Sequence, residues 1–216
     1  MSGAGDSPDP PMRVVTASAD EPPWREAVVA ETLAWLENVV IGLNLCPFAH
    51  AVHASKRIRI AVTDASTPER LLDVLHTELE LLAAADPSAI ETTLLVHPRV
   101  LGDFLDYNDF LDVADAAVEE AELEGIVQVA SFHPRYQFEG TAPDDIDNYT
   151  NRSPYPTLHL LREESIERAV EAFGDTDRIF EANIATLRRL GRKGWDRLVT
   201  PGDSGATSFS SRRRPR

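Results

Sequence analysis

Short apolar runs that alternate with amphipathic helical stretches constrain this chain more than any other feature. Val29, Leu33, Leu36, Val40 and Leu43 step by four and three, which draws one apolar stripe down a helix from about Trp24 to Leu43. Gly42 and Pro47 bracket its end. In Arg57–Val62 the isoleucines and Val62 alternate with Arg57 and Arg59, the pattern of a half-exposed strand near a sheet edge. Thr67 followed by Pro68 is a helix start, and Leu72, Leu75, Leu79 and Leu82 supply that helix's stripe up to the stop at Asp86-Pro87. Thr92–Val96 is nearly all apolar, as expected of a strand covered on both faces. A helix follows within residues 103–122, and Gly125 ends it and opens a third strand, Gly125–Ala130. Beyond a long irregular stretch come a fourth apolar run, Thr157–Leu161, and two helices. The first carries Ile166, Val170 and Phe173 and stops at Gly174; the second runs from Thr176 through Phe180, Ile184, Leu187 and Leu190 to Gly191.

The order α-β-α-β-α-β-loop-β-α-α predicts an α/β fold with a single four-stranded, mostly parallel sheet flanked by helices. Strands joined by helical crossovers run parallel with right-handed connections, and only the direction of the fourth strand is left open. A length of 216 residues suits one domain, expected over 23–199 between a flexible leader (1–22) and a flexible tail (200–216) rich in Pro, Ser, Gly and Arg. The formal net charge of −15 argues against nucleic-acid binding, which leaves a basic footprint. A single cysteine, Cys46, excludes an internal disulfide framework and fits a reducing compartment. The chain has no secretory signal pattern and no apolar run of membrane-spanning length, so a cytoplasmic protein is expected.

The stretch from Ser131 to Arg162 concentrates the chemistry. Irregular segments of that length are uncommon in compact domains and are functional or disordered. Phe132, Tyr136, Phe138, Tyr149 and Tyr155 are too many aromatics for a solvated tether, so the stretch reads as a functional loop between the third and fourth strands. A short echo links its start to the second strand: Val96-His97-Pro98-Arg99 and Phe132-His133-Pro134-Arg135 each follow a strand directly. Proline keeps the residue before it extended, so both histidines should end at the carboxyl edge of the sheet, where ligands of open α/β sheets bind.

Each candidate residue has a functional and a structural reading. Cys46 is either a nucleophile activated by a nearby imidazole or cation, or a buried small hydrophobe; the helix end before it would raise its pKa. His133 ends a strand and opens the loop, which makes it the candidate general acid/base. Asn151, Arg152 and Ser153 form an anion-binding set, unless Arg152 merely pairs with Asp144, Asp145 or Asp147 to hold the loop shut. His97, His159 and Tyr136 complete the candidate substrate site; in the structural reading His159 is a hydrogen-bonded strand residue and Tyr136 part of the loop's own core. The close ligand spacings of metal motifs are absent from Cys46, His97, His133 and His159, so no metal ligand is assigned. His50, His53 and His76 read as surface residues. The P-loop, dinucleotide-fingerprint, His-Glu-x-x-His and nucleophile-elbow patterns are missing, which removes the commonest NTPase, dehydrogenase, zinc-protease and lipase readings.

GLNLCPFA at 42–49, FLDYNDFLD at 104–112 and SFHPRYQFEGTAPDDIDNYTNRSPYPTLHLLRE at 131–163 resemble a family of bacterial proteins, also found in plants, known only as a domain of unknown function. The resemblance spans roughly Trp24 to Leu198. It implies no activity, cofactor or catalytic residue. From the residues, the leading expectation is an enzyme acting on a small anionic metabolite, with His133 as acid/base, Arg152 and Asn151 as anion clamp and Cys46 as nucleophile. The alternatives are a non-catalytic ligand- or metal-binding protein and a protein-interaction module built on the acidic-aromatic segment Phe104–Asp112. No cofactor is identified.

Overall fold

The computed structural model describes residues 22–173 and 176–199. The expected leader (apart from Pro22), the expected tail and the stop at Gly174 lie outside the described residues. In chain order the elements are α1 (Pro23–Trp35), a π-helical segment (Leu36–Ile41), α2 (Ala49–Ala54), β1 (Ile58–Val62), α3 (Pro68–Ala84), β2 (Thr92–Val96) and α4 (Phe104–Glu120). There follow β3 (Val127–Phe132), a 3-10 turn (Ile146–Asn151), β4 (Thr157–Arg162), α5 (Glu163–Phe173) and α6 (Thr176–Val199). Among the described residues no helix is long and apolar enough to cross a membrane.

The four strands form one sheet in the order β1-β2-β4-β3. β1 pairs parallel to β2, but β4 is antiparallel to both β2 and β3. The sheet is therefore mixed and mostly antiparallel, which corrects the mostly parallel sheet expected from the sequence. The reason lies in the long loop. It leaves β3 at the carboxyl edge and stays there, so β4 starts at that edge and has to run back. Thr157, the first residue of β4, stands beside both Val96 and Phe132, the last residues of β2 and β3. Because β2 and β3 both oppose β4, they share a direction, and β1, β2 and β3 all end on the same side.

Helices cover both faces. On one, Leu71, Leu75, Leu79 and Leu82 of α3 and Tyr107, Phe110 and Ala114 of α4 pack on Leu95, Val127, Leu158 and Leu160. Each fully buried leucine contributes on the order of 2 kcal/mol. Leu71, rather than Leu72, is the buried start of the α3 stripe. Thr67 accepts the backbone N–H of Arg70 with Pro68 at the first turn, as the sequence predicts. On the opposite face α1 lays Val28 over Ile60, Leu94 and Val96, and a second cluster joins Trp35, Leu36, Val39 and Val40 to Tyr149, Leu187 and Trp195. The charged residues that enter the core are fully engaged. Arg59 makes a two-pronged bond to Glu78 at 2.8 and 2.9 Å, and Arg162 donates to the carbonyls of Leu82 and Ala85 that end α3.

Two backbone irregularities shape the α1/α6 side. The helix expected over Trp24–Leu43 widens after Trp35, where Gly42 N–H reaches Glu37 O (2.9 Å) and Leu45 N–H reaches Val40 O (2.8 Å), both five residues back. The buried residues along it are Val28, Thr32, Trp35, Leu36, Val39 and Val40, so Leu36 and Val40 of the expected stripe are in the core while Val29 and Leu33 are half-buried. A Cβ on Gly42 would overlap the carbonyl oxygen of Asn38, so the tight exit from the π segment needs glycine. In α6 the chain breaks helical geometry at Gly191 (φ 65°, ψ 172°), as the sequence expects, but resumes a helix beyond it.

Candidate functional site

The loop after β3 is held by its own polar residues. Asn148 is fully buried: its Oδ1 accepts from Phe138 N–H (2.9 Å) and Thr141 Oγ1 (2.8 Å), and its Nδ2 donates to Ala142 O (2.8 Å). Asp147 takes a two-pronged bond from Arg188 of α6 at 2.9 and 2.5 Å, which fixes the 3-10 turn to that helix. The turn drives Tyr149 inward to 2 % exposure. Asn151 then ties the loop back to the sheet edge: its Nδ2 donates to Ser131 O (3.2 Å) and its carbonyl accepts His133 N–H (3.1 Å).

Arg152 follows directly. Its Nε donates to Tyr136 O (3.3 Å) and its Nη2 to Pro143 O (2.6 Å), and the guanidinium lies 4.0 Å over the Tyr149 ring. It does close the loop, but onto carbonyl oxygens rather than onto the three aspartates. Those are otherwise engaged. Asp145 accepts Ala142 N–H, Asp147 holds Arg188, and Asp144 lies 3.9 Å from Arg192. Burial is the largest influence on the Arg152 pKa and lowers it from its ordinary value; Arg192 lowers it further, against the pull of Tyr149 and Asp144. Ser153 is spent on a local turn, donating to Tyr155 O (2.6 Å).

Arg152 and Ser153 line a cleft of about 680 Å³ between the end of α1, the 3-10 turn and the last part of α6. Trp35 and Asn38 bring the π segment into it, and Trp35 Nε1 donates to the Arg152 carbonyl (2.9 Å). The change of direction at Gly191 lays Arg192 and Trp195 over Tyr149 from the other side. Trp195 meets the Tyr149 ring edge-on at 5.0 Å, and the Arg192 guanidinium is 5.2 Å from the same ring. Two guanidiniums thus converge on one phenol. The Tyr149 hydroxyl is itself buried with no hydrogen-bond partner among the described residues. Sequence reasoning named Tyr149 only among the loop aromatics and missed Trp35, Arg192 and Trp195. The available signal was the Arg-x-x-Trp stretch Arg192–Trp195, past a glycine that already read as a stop.

The other candidates lie elsewhere. His97 and His133 do share the carboxyl edge, one on either side of Tyr107, with ring centroids 5.8 and 5.1 Å from it. Tyr107 donates to Thr157 O (2.8 Å) and accepts Phe132 N–H (3.1 Å), so it clips β3 and β4 together at their ends. Both histidines have zero exposure. His133 Nδ1 accepts Arg135 N–H (3.0 Å), which leaves Nε2–H to donate to Leu101 O (3.2 Å). Its ring points to α4, while the following Pro134 lines the cleft. His97 Nδ1 bonds Val100 O (3.1 Å), its Nε2 is buried without a partner, and burial holds its pKa at about 4. His159 Nε2 donates to Thr92 Oγ1 (2.8 Å), whose own proton goes to Leu160 O; burial lowers this imidazole to about 4 as well.

Tyr136 packs on Phe104 (5.2 Å) and Phe138 (5.0 Å), and Phe138 on Phe180 (5.5 Å), a small aromatic core under the loop. Cys46 packs against the Trp35 cluster outside the cleft lining. Burial raises its thiol pKa most, and the backbone N–H groups of Phe48 and Ala49 offset part of this. The aromatics of Phe104–Asp112 also turn inward, with Tyr107 and Phe110 buried. No group of three or more His, Cys, Asp or Glu side chains is placed to hold a metal among the described residues.

A family model described as a protein of unknown function, DUF1415, matches residues 27–197. No curated protein and no solved structure matches the chain.

Proposed function

We propose that this chain, which belongs to the DUF1415 family, binds a small anion in the cleft over Tyr149. Arg152 and Arg192 act as the clamp, and the Tyr149 hydroxyl, which has no exposed surface in the ligand-free chain, is uncovered as the third donor when the guanidiniums shift onto the anion. The observation that carries this reading is the convergence of two guanidiniums on one ring whose hydroxyl is buried without a partner. A buried, unpaired hydroxyl costs about 1–3 kcal/mol, and Arg192, though itself exposed and paired with Asp196, disfavours the charge on the half-buried Arg152. An anion relieves both. Carboxylate and phosphate suit the planar forks of arginine best. Asn151 and Ser153 support the clamp by positioning the backbone around Arg152 rather than by contact. His133, whose two ring nitrogens are taken by backbone groups, serves the sheet edge, so the reading is one of ligand binding rather than of acid–base catalysis.

Inorganic phosphate is the first probe. In a thermal-denaturation titration it should raise the midpoint of the full chain saturably, beyond chloride at matched ionic strength. Arg192→Ala should weaken the apparent affinity at least tenfold while moving the ligand-free midpoint little, because that side chain is exposed. A midpoint that tracks ionic strength alone, equally in both proteins, would remove the proposal.

A further inference from the structure

The cleft is far larger than an inorganic anion, and its chemistry changes along its length. From Arg192 at the turn of α6, the lining residues on that helix run through Trp195 to Leu198 and Val199. Seven residues of helix advance about 10 Å. The cationic end and the apolar end are therefore separated by about the length of a six-carbon chain together with its anionic head. Val199 is 45 % exposed, one of few large apolar side chains so exposed among the described residues.

The two carboxylates of the lining have assigned partners. Glu31 accepts the Tyr155 hydroxyl (2.7 Å), and Asp196 accepts Arg192 Nε (3.2 Å). Asp196 is thus countered by Arg192, whereas Glu31 accepts a neutral hydroxyl and stands against a second anionic group. We infer, on the reading that the cleft binds an anion, that its ligand is an organic anion with one charged head and an apolar body. The head sits at Arg152, Arg192 and Tyr149, and the body lies along Trp195 toward Leu198 and Val199. Inorganic phosphate would occupy only the head position.

The shared chemistry fits an alkyl or an aryl body, and the titration separates them. Full-length protein is titrated with inorganic phosphate, hexyl phosphate and phenyl phosphate, and in a second series with hexanoate and adipate. Thermal midpoint and tryptophan fluorescence are read together. One or both organic phosphates should bind at least about tenfold tighter than inorganic phosphate, since the buried apolar body adds to the affinity of the head. The tighter of the two identifies the body. Hexanoate should exceed adipate, and Val199→Asp should collapse the ratio of hexyl to inorganic phosphate affinity toward one. If inorganic phosphate binds as tightly as both organic phosphates, or adipate as tightly as hexanoate, this inference falls while the anion-binding reading stands. If no phosphate binds at all, both fall.

Discussion

Tyr149 is where structure and proposed function pull against each other. The side chain fills space beneath Arg152, against Trp195 and the Trp35 cluster, yet its hydroxyl has no partner at hydrogen-bonding geometry among the described residues. Tyr149→Phe keeps the ring and both cation contacts and removes only the unpaired group. A residue kept for packing alone would be improved by that change. The variant is therefore expected to be as stable as the parent or more so, by up to about 1 kcal/mol, and to bind inorganic phosphate several-fold more weakly. Urea denaturation and the phosphate titration read the two halves separately. A destabilised Tyr149→Phe would mean that the hydroxyl has a partner in the folded protein, and the donor role would be withdrawn. The same logic sorts the histidines. At His133 and His159 the bonds are to backbone and to a threonine inside the fold, which is the signature of side chains that organise strands.

At the scale of elements, the cleft depends on the two irregular helices. Gly191 sits at a φ/ψ combination that side-chain-bearing residues rarely adopt, although a Cβ there would meet nothing within 4 Å. Gly191→Ala is thus penalised by backbone conformation alone, at about 1–3 kcal/mol. The strain should be relieved by straightening α6, which lifts Arg192 and Trp195 from Tyr149. The expected result is a loss of phosphate binding larger than the loss of stability would explain, with altered tryptophan emission. Parent-like phosphate binding in Gly191→Ala would show that the turn does not set the cleft.

These elements also show what the sequence could and could not disclose. All four strands were legible within a residue or two at each end, because strand periodicity and turn residues are local. So was the stop at Gly191. The insertion of β4 between β2 and β3 was not, since a strand's direction after a long loop depends on where the loop lies. The π turn was hidden because a stripe stepping by four and three fits either helix. Arg152 could be picked out by its chemistry, but its partner in the cleft, Arg192, comes from a different element. No local pattern links them.

For the whole molecule, the sharpest expectation is a loss of stability in mild acid. Burial holds His97 and His159 near pKa 4, and lowers His133 from its ordinary value, with Arg135 adding to the depression and Asp103 opposing it. Free histidine titrates near 6.5. As pH falls below that value, the unfolded chain takes up protons that the folded chain refuses. Stability is therefore complete above about 6.5, declines toward pH 4, and levels off below it. From pH 7.5 to 5.5 the two rings near pKa 4 should together cost about 2–3 kcal/mol. The net charge of −15 works the other way, since acid relieves its self-repulsion as carboxylates begin to protonate. The two effects separate with salt: 0.5 M sodium chloride screens the surface repulsion but leaves the desolvation of buried imidazoles in place. Urea midpoints measured in that salt should fall steadily between pH 7.5 and 5.5. His159→Gln, which retains an amide able to donate to Thr92, should remove about 1 kcal/mol of that fall. A midpoint that stays level or rises in high salt would mean that the imidazoles reach water or an acid partner in the folded state, and that the sheet around them is more open than its packing indicates.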